Sequence, residues 1–187
     1  MHMEVEMLQQ PFTAFEREPA NLPLIVVDIG YSSKSKSCGL AWTDGPQQGT
    51  ELEFGQAVEE VGELLGYLMN PVLVLEAPLS TFHGPNGNPD YRGPFEKGRG
   101  WYWGAGAVCL IAAQRLLHQL KTVRSLDSPV WLAEAFLSNK MRRTEHREDA
   151  AAILVQFWDT APQKLRDGLE PASNLIRGIP SIRVFEV

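Results

Sequence analysis

Hydrophobic residues are grouped along this chain in two kinds of pattern. Two continuous apolar runs, "LIVV" at residues 24–27 and "VLVL" at residues 72–75, contain no polar residue, and an acidic residue follows each run at once. Runs of this kind are typical of central strands that are covered on both faces of a sheet. The stretches "KSCGLAW", "TELEF" and "SPVWLAEAF" are more mixed and predict three further strands.

Apolar residues recur at helical spacing in three other segments, "AVEEVGELLGYLM", "WYWGAGAVCLIAAQRLLHQL" and "TEHREDAAAILVQFW". The predicted order is three strands, helix, strand, helix, strand, helix. The turn-rich stretch "TDGPQQG" separates the second and third strands, and the first three strands are expected to form an antiparallel meander. Helical crossovers place the fourth and fifth strands parallel to the first. The prediction is an α/β fold with a mixed five-stranded sheet and helices on both faces.

The predicted domain spans residues 23–160. Residues 1–22 are acidic and interrupted by proline, which predicts an extended N-terminal arm. Residues 161–187 are expected to form a C-terminal extension that packs on the domain. Within them, "PSIRVFEV" is compatible with either a short closing strand or an ordered tail. The length of 187 residues, with 44% hydrophobic and 21% charged residues, is typical of one globular domain.

Several features argue against a membrane, secreted or zinc-binding protein. The apolar runs are far too short to cross a bilayer, and no basic-then-apolar leader is present. Cys38 and Cys109 have no CxxC spacing, and the four histidines have no zinc-ligand spacing. We therefore expect a cytoplasmic protein with free thiols and no membrane partner.

The helix predicted over residues 144–158, with Thr144 as its N-cap, has an unusual charged end. Ile153 belongs to its apolar face, and residues three and four apart share a helix face. Asp149 and His146 therefore continue the apolar line. Burying an unpaired carboxylate is costly. We expect these two side chains to face a shared polar site rather than bulk water.

Two further acids are expected at the same place. If the two apolar runs are neighbouring parallel strands, Asp28 and Glu76 both leave the carboxyl edge of the sheet, where ligands of open α/β sheets bind. With Asp149 they would form a group of mutually repelling carboxylates, a donor set that suits Mg²⁺ or Mn²⁺. Two such ions can activate water and stabilise the leaving oxygen of a phosphodiester. His146 could orient water, bind metal or transfer a proton.

Each of these residues also has an ordinary structural explanation. Asp28 precedes a turn glycine, which is common turn chemistry, and Glu76 could be a solvated strand end. A histidine in a first helical turn, such as His146, is more often exposed than catalytic. Asp149 is harder to explain in this way because it lies on the apolar side of its helix. The conjunction of the four residues is what favours a site.

The same residues resemble a known family. "VVDIG", "VLEAP" and the HxxD of "HREDAAAI" resemble the RNase H-like superfamily, and more closely its RuvC-like nucleases, which include Holliday-junction resolvases. The stretch "LEAPLS" is also similar to uncharacterised predicted nucleases of that group. The resemblance covers about residues 23–160. It implies a metal-dependent endonuclease in which Asp28, Glu76 and Asp149 bind Mg²⁺ or Mn²⁺. The fourth active-site position, an acid or a histidine in that family, would be His146.

The net charge of −6 is unevenly distributed. Residues 51–63 hold five glutamates and no base, whereas residues 84–124 hold six basic and two acidic side chains. Residues 138–147 hold four basic side chains and one acidic one. Such patches either hold a phosphate backbone or form an ordinary solvated surface. The candidate nucleic-acid-binding residues are Lys34, Lys36, Arg92, Lys97, Arg99, Arg142 and Arg143.

Residues 83–100 form a predicted loop with five glycines and three prolines. A loop of this length is uncommon in a compact domain unless it is functional or mobile. Trp101, Tyr102 and Trp103 follow it and could stack on unpaired bases, although at least one of these rings is expected to pack on the core.

The predicted function is hydrolysis of phosphodiester bonds in structured or single-stranded nucleic acid, with DNA favoured over RNA. A substrate with two-fold symmetry would suggest a homodimer. The alternative is a non-catalytic nucleic-acid-binding or scaffold protein with the same fold. A third reading is less favoured. "DIGYSSKS" also resembles the first phosphate loop of actin-like ATPases and sugar kinases, but the chain has no second loop of this kind and too few residues for a second lobe.

Overall fold

Six strands within the described residues form one mixed sheet. The computed structural model describes residues 22–30, 32, 35–69, 71–77, 104–123, 130–138, 142–166 and 181–185. The strands in chain order are β1 (Leu24–Asp28), β2 (Cys38–Trp42), β3 (Thr50–Leu52), β4 (Val72–Glu76), β5 (Trp131–Ser138) and β6 (Ser181–Phe185). They lie side by side in the order β3-β2-β1-β4-β5-β6.

The predicted strands and their directions are confirmed. β2 is antiparallel to both β1 and β3, which makes the meander. β4 is parallel to both β1 and β5. β6 adds a sixth strand, parallel to β5, so the tail forms the closing strand that was one of its two alternatives. Its sequence "SIRVF" contains β-branched and aromatic residues, which favour extended backbone.

Three helices among the described residues cover both faces of the sheet: α1 (Phe54–Tyr67), α2 (Ala105–Val123) and α3 (His146–Arg166). α1 and α2 pack together on one face, and α3 lies on the other. The expected domain boundary at residue 160 falls inside α3. Within the described part of the chain, the structure has no helix with both the length and the apolar character that a bilayer crossing requires.

Alternation along the buried strands divides the core into two layers. In β1, Ile25 and Val27 pack with α1 and α2, whereas Leu24 and Val26 pack with α3. The odd-numbered and even-numbered residues of β4 divide in the same way. Successive side chains of a strand point to opposite faces, so a strand covered on both sides is apolar at every position. This double covering is why the two runs carry no polar residue.

Close backbone packing fixes the start of α3 against β2. A Cβ atom at Gly39 in β2 would overlap the carbonyl oxygen of His146. The backbones of β2 and α3 can therefore approach this closely only because residue 39 has no side chain. A Cβ atom at Gly30, just after β1, would overlap the carbonyl oxygen of Ser37 in the same way. These two glycines allow the segments around the end of β1 to approach each other.

The N-cap of α3 is one residue later than predicted. The helix begins at His146, and the backbone N–H of Asp149 donates to the carbonyl of Glu145 at 3.2 Å. Glu145 is therefore the N-cap residue, and its own N–H donates to Oε2 of Glu148 at 3.2 Å. This contact is one half of a capping box. The hydroxyl of Thr144 is buried and has no hydrogen-bond partner among the described residues, so the prediction of Thr144 as N-cap is wrong.

We expect Gly39→Ala to lower the free energy of unfolding by about 1–3 kcal/mol, because the added methyl group forces the backbones of β2 and α3 apart. Gly55→Ala is the matched control, since a Cβ atom at this exposed position of α1 meets nothing within 4 Å. An alanine in a helix is favoured over glycine by roughly 0.5–1 kcal/mol, so this variant should be slightly stabilised. Urea unfolding measures both, and equal effects would contradict the close approach.

Candidate metal centre

Asp28 and Glu76 are direct neighbours at the ends of two parallel strands. They pair in register across β1 and β4. Each lies two residues after a valine, Val26 or Val74, that packs beneath α3. Because side chains alternate across a strand, both carboxylates point to the face that α3 covers. The sheet therefore delivers two acids to one place.

α3 supplies the third acid. Asp149 lies one turn before Ile153, which is fully buried against the sheet. One carboxylate oxygen from each of Asp28, Glu76 and Asp149 lies within 4.8 Å of the other two. The three residues are only 6%, 6% and 2% exposed, respectively. We call them the acidic triad. The structure thus brings together the three acids that the sequence predicts at this edge.

A backbone contact orients Glu76 within the triad. Its Oε1 accepts a hydrogen bond from the backbone N–H of Leu137 at 3.2 Å. Leu137 belongs to β5, the strand next to β4, and packs in the same layer beneath α3. A carboxylate held by a neighbouring strand has a fixed direction, which is the property that a metal ligand needs.

His146 contacts the triad from its rim. Its Nδ1 lies 2.7 Å from Oδ2 of Asp28. The hydrogen bond to Asp28 raises the pKa of His146 from 6.5 to about 9; the charges of Asp28, Glu51 and Glu76 act in the same direction, whereas burial opposes the shift. The side chain of His146 is 42% exposed, against 9% for that of Asp28. The histidine therefore links a buried carboxylate to solvent.

Two thiols hold the backbone that follows Asp28. The thiol of Cys38 in β2 donates to the carbonyl of Gly30 at 3.0 Å. The thiol of Cys109 in α2 donates to the carbonyl of Ile29 at 3.1 Å. Burial raises the pKa of the Cys38 thiol to about 11, which keeps it protonated as a donor. The spacing of the two cysteines contains no signal for this role, because the contacts depend on the packing of separate elements.

A third contact missed from the sequence comes from β3. Oε2 of Glu51 accepts a hydrogen bond from the backbone N–H of Arg147 in the first turn of α3 at 3.0 Å. Glu51 begins a run of glutamates, and nothing in that run distinguishes it from its exposed neighbours. The contact follows from the position of the β2–β3 hairpin beside α3.

The predicted phosphate-contacting residues are only partly among the described ones. Arg142 and Arg143 are exposed just before α3, and Lys36 is exposed between β1 and β2. Nη1 of Arg142 lies 3.7 Å from Oε2 of Glu148, and exposed pairs of this kind are weak. Outside the described residues lie Lys34, Arg92, Lys97, Arg99, the 83–100 loop and its three following aromatic residues.

The donor set of the triad suits a hard divalent cation. Mg²⁺ and Mn²⁺ prefer carboxylate oxygens, and the triad offers such oxygens from two strands and one helix. Two oxygens bound to one Mg²⁺ lie at most about 4 Å apart, and the chosen oxygens of the triad lie within 4.8 Å of one another. A cation would also offset the repulsion among three buried negative charges. The residues present therefore fit Mg²⁺ or Mn²⁺.

Compared with protein-family models, curated proteins and solved structures, the chain matches none of them.

We expect the His146 imidazole of the metal-free protein to titrate with a pKa of about 9. Asp28→Asn should lower this pKa, because it removes the negative partner of the hydrogen bond. NMR titration in the presence of a chelator measures both values. Asp44→Asn removes an exposed charge elsewhere and should leave the titration unchanged. A wild-type value near 6.5 would contradict the contact.

The same contact predicts a pH dependence of stability. Because folding raises the pKa of His146, protonation stabilises the fold fully below about pH 6.5, and this contribution is lost as the pH rises through about 9. We expect the free energy of unfolding of the metal-free wild type to fall more across this window than that of His146→Gln. Chemical unfolding at a series of pH values measures the difference, and parallel curves would contradict it.

Proposed function

We propose that this chain is a Mg²⁺- or Mn²⁺-dependent nuclease with an RNase H-like, RuvC-like catalytic domain. The observation that carries the proposal is the acidic triad: three buried carboxylates from three separate elements, with one oxygen of each within 4.8 Å of the others. Grouping like charges in the interior of a fold lowers its stability. Grouped carboxylate oxygens are instead the donor set that Mg²⁺ and Mn²⁺ prefer.

The topology supports the same proposal. The first five strands lie in the order β3-β2-β1-β4-β5, with an antiparallel meander followed by parallel strands. This is the arrangement that the resemblance to RNase H-like proteins implies. An aspartate ends β1, a glutamate ends β4 and the HxxD opens α3. This agrees with where the resemblance expects the site residues and so supports the proposal.

In the proposed mechanism the acidic triad binds the metal, and His146 orients water or transfers a proton. Asp28, Glu76 and Asp149 would hold the metal, which when bound supplies an activated water and stabilises the leaving oxygen of a phosphodiester. His146 is held against Asp28 and retains exposure to solvent. It can therefore orient a water or move a proton between the site and the substrate.

Exposed bases beside the site support a nucleic-acid substrate. Arg142 and Arg143 are exposed in the segment that leads directly into His146. A phosphate backbone lying across the start of α3 would meet both arginines and the partly exposed imidazole of His146. DNA remains the favoured substrate over RNA within this proposal, and a two-fold-symmetric substrate would be matched by a homodimer.

A cleavage assay tests the proposed activity. Purified protein with Mn²⁺ or Mg²⁺ should cut at least one substrate from a panel of junctions, flaps, hybrids and single strands. Asp149→Asn should lower the rate by more than about 100-fold, because even the outer partners of metal ligands contribute 10–100-fold. Asp44→Asn makes the same chemical change at an exposed residue with φ 66°, a conformation that asparagine tolerates, and should retain the rate.

The outcomes separate the proposal from its alternatives. Salt-sensitive binding of nucleic acid without cleavage would favour the non-catalytic binding or scaffold protein. Hydrolysis of ATP without cleavage would favour the actin-like phosphotransferase. Cleavage that Asp149→Asn leaves intact would show that the activity does not come from the acidic triad.

A further inference from the structure

We propose that Glu51 is a positioning residue for the acidic triad, which holds the first turn of α3 where Asp149 meets the two strand-end acids. This inference rests on the proposed metal site. Glu51 lies in β3, outside the triad, and acts through the helix backbone rather than on the metal.

The hydrogen bond between Arg147 and Glu51 satisfies a backbone N–H group that α3 itself leaves without an acceptor. The first N–H groups of an α-helix have no acceptor within the helix. The N–H of Arg147, the second residue of α3, donates to Oε2 of Glu51 at 3.0 Å across a sequence separation of 96 residues. A negative charge at this end is also favoured by the helix dipole. Glu51 is thus a cap supplied by the sheet.

The same hairpin meets α3 at two backbone positions. Gly39 in β2 lies against the carbonyl of His146. Gly49, with φ +63°, lies just before β3, and a Cβ atom there would be 2.8 Å from the carbonyl oxygen of Arg147. These contacts flank the hydrogen bond to Glu51, so the β2–β3 hairpin sets the place of the turn. Asp149 belongs to that turn, since its N–H closes the first helical hydrogen bond with Glu145.

The local caps cannot fix that place. Glu148 accepts from the backbone of Glu145, and Oε2 of Glu145 lies 2.7 Å from Nε of Arg147. Both contacts join residues within a span of four positions. They can stabilise the first turn of α3, but they do not fix its position relative to the sheet. Glu51 joins the turn to a different element of the sheet. His146 ties the turn to β1, and Gly39 and Gly49 pack against its backbone, but only Glu51 among these residues accepts a backbone N–H of the turn. We expect the turn to shift relative to β1 and β4 when this bond is lost.

Calorimetry with Mn²⁺ tests the inference on Glu51→Ala and Glu51→Gln in the full chain. Glu51→Ala should weaken Mn²⁺ binding roughly tenfold, the lower end of what partners outside the metal shell contribute. Glu51→Gln should bind within about twofold of wild type, because its amide oxygen can accept the same hydrogen bond. Glu63→Ala, at an exposed glutamate of α1, controls for the loss of one negative charge and should leave binding unchanged.

Hydrogen exchange of the Arg147 amide in the metal-free protein gives a second readout. It should be roughly fivefold faster in Glu51→Ala than in wild type, the factor for one lost cap, and near wild type in Glu51→Gln. Unchanged Mn²⁺ affinity in Glu51→Ala, or equal weakening in both Glu51 variants, would overturn the inference. If wild type binds no Mn²⁺, the proposed metal site fails, and unchanged exchange of Arg147 would then overturn the role of Glu51 as well.

Discussion

The first turn of α3 docks on the ends of β1 and β4, and this contact places three carboxylates within one small buried volume. Ile153 and Phe157 anchor the helix on the sheet, and the same face carries Asp149 to the strand ends. Burial of apolar side chains drives the packing of α3 on the sheet. The same packing brings the three carboxylates together at the first turn of α3, where their negative charges repel one another. The same packing thus builds the fold and the candidate site.

Contacts with neighbouring residues hold two of the three carboxylates and the first turn of α3 in place despite this repulsion. Nδ1 of His146 lies 2.7 Å from Oδ2 of Asp28, and the backbone N–H of Leu137 in β5 donates to Glu76. The turn of α3 is held from the other side by Glu51 and by two glycines of the β2–β3 hairpin. A divalent cation would complete this balance by offsetting the negative charge of the three carboxylates. The proposed phosphodiester chemistry depends on that cation.

Much of this arrangement is predictable from local patterns. The two runs without polar residues identify the central strands, and the acids that follow them locate the edge. The helix period aligns Asp149 with Ile153, which predicts that it points inwards. The contacts of Glu51 and of the thiols are not predictable in this way, because they join elements far apart in sequence. The prediction of Thr144 as the N-cap of α3 is wrong because it rests on intrinsic preference, and threonine is a better N-cap than glutamate. In the structure the first helical hydrogen bond goes to Glu145, and the next residue, His146, packs against Gly39.

The most direct test of the central claim is anomalous diffraction from crystals of the protein grown with Mn²⁺. We expect a strong anomalous peak among the carboxylates of Asp28, Glu76 and Asp149, which would show that the triad holds a cation. A second peak beside the first would indicate two ions. Crystals grown with Mn²⁺ that show no peak at the triad, with its three carboxylates ordered, would contradict the claim that the acids are gathered there to bind metal.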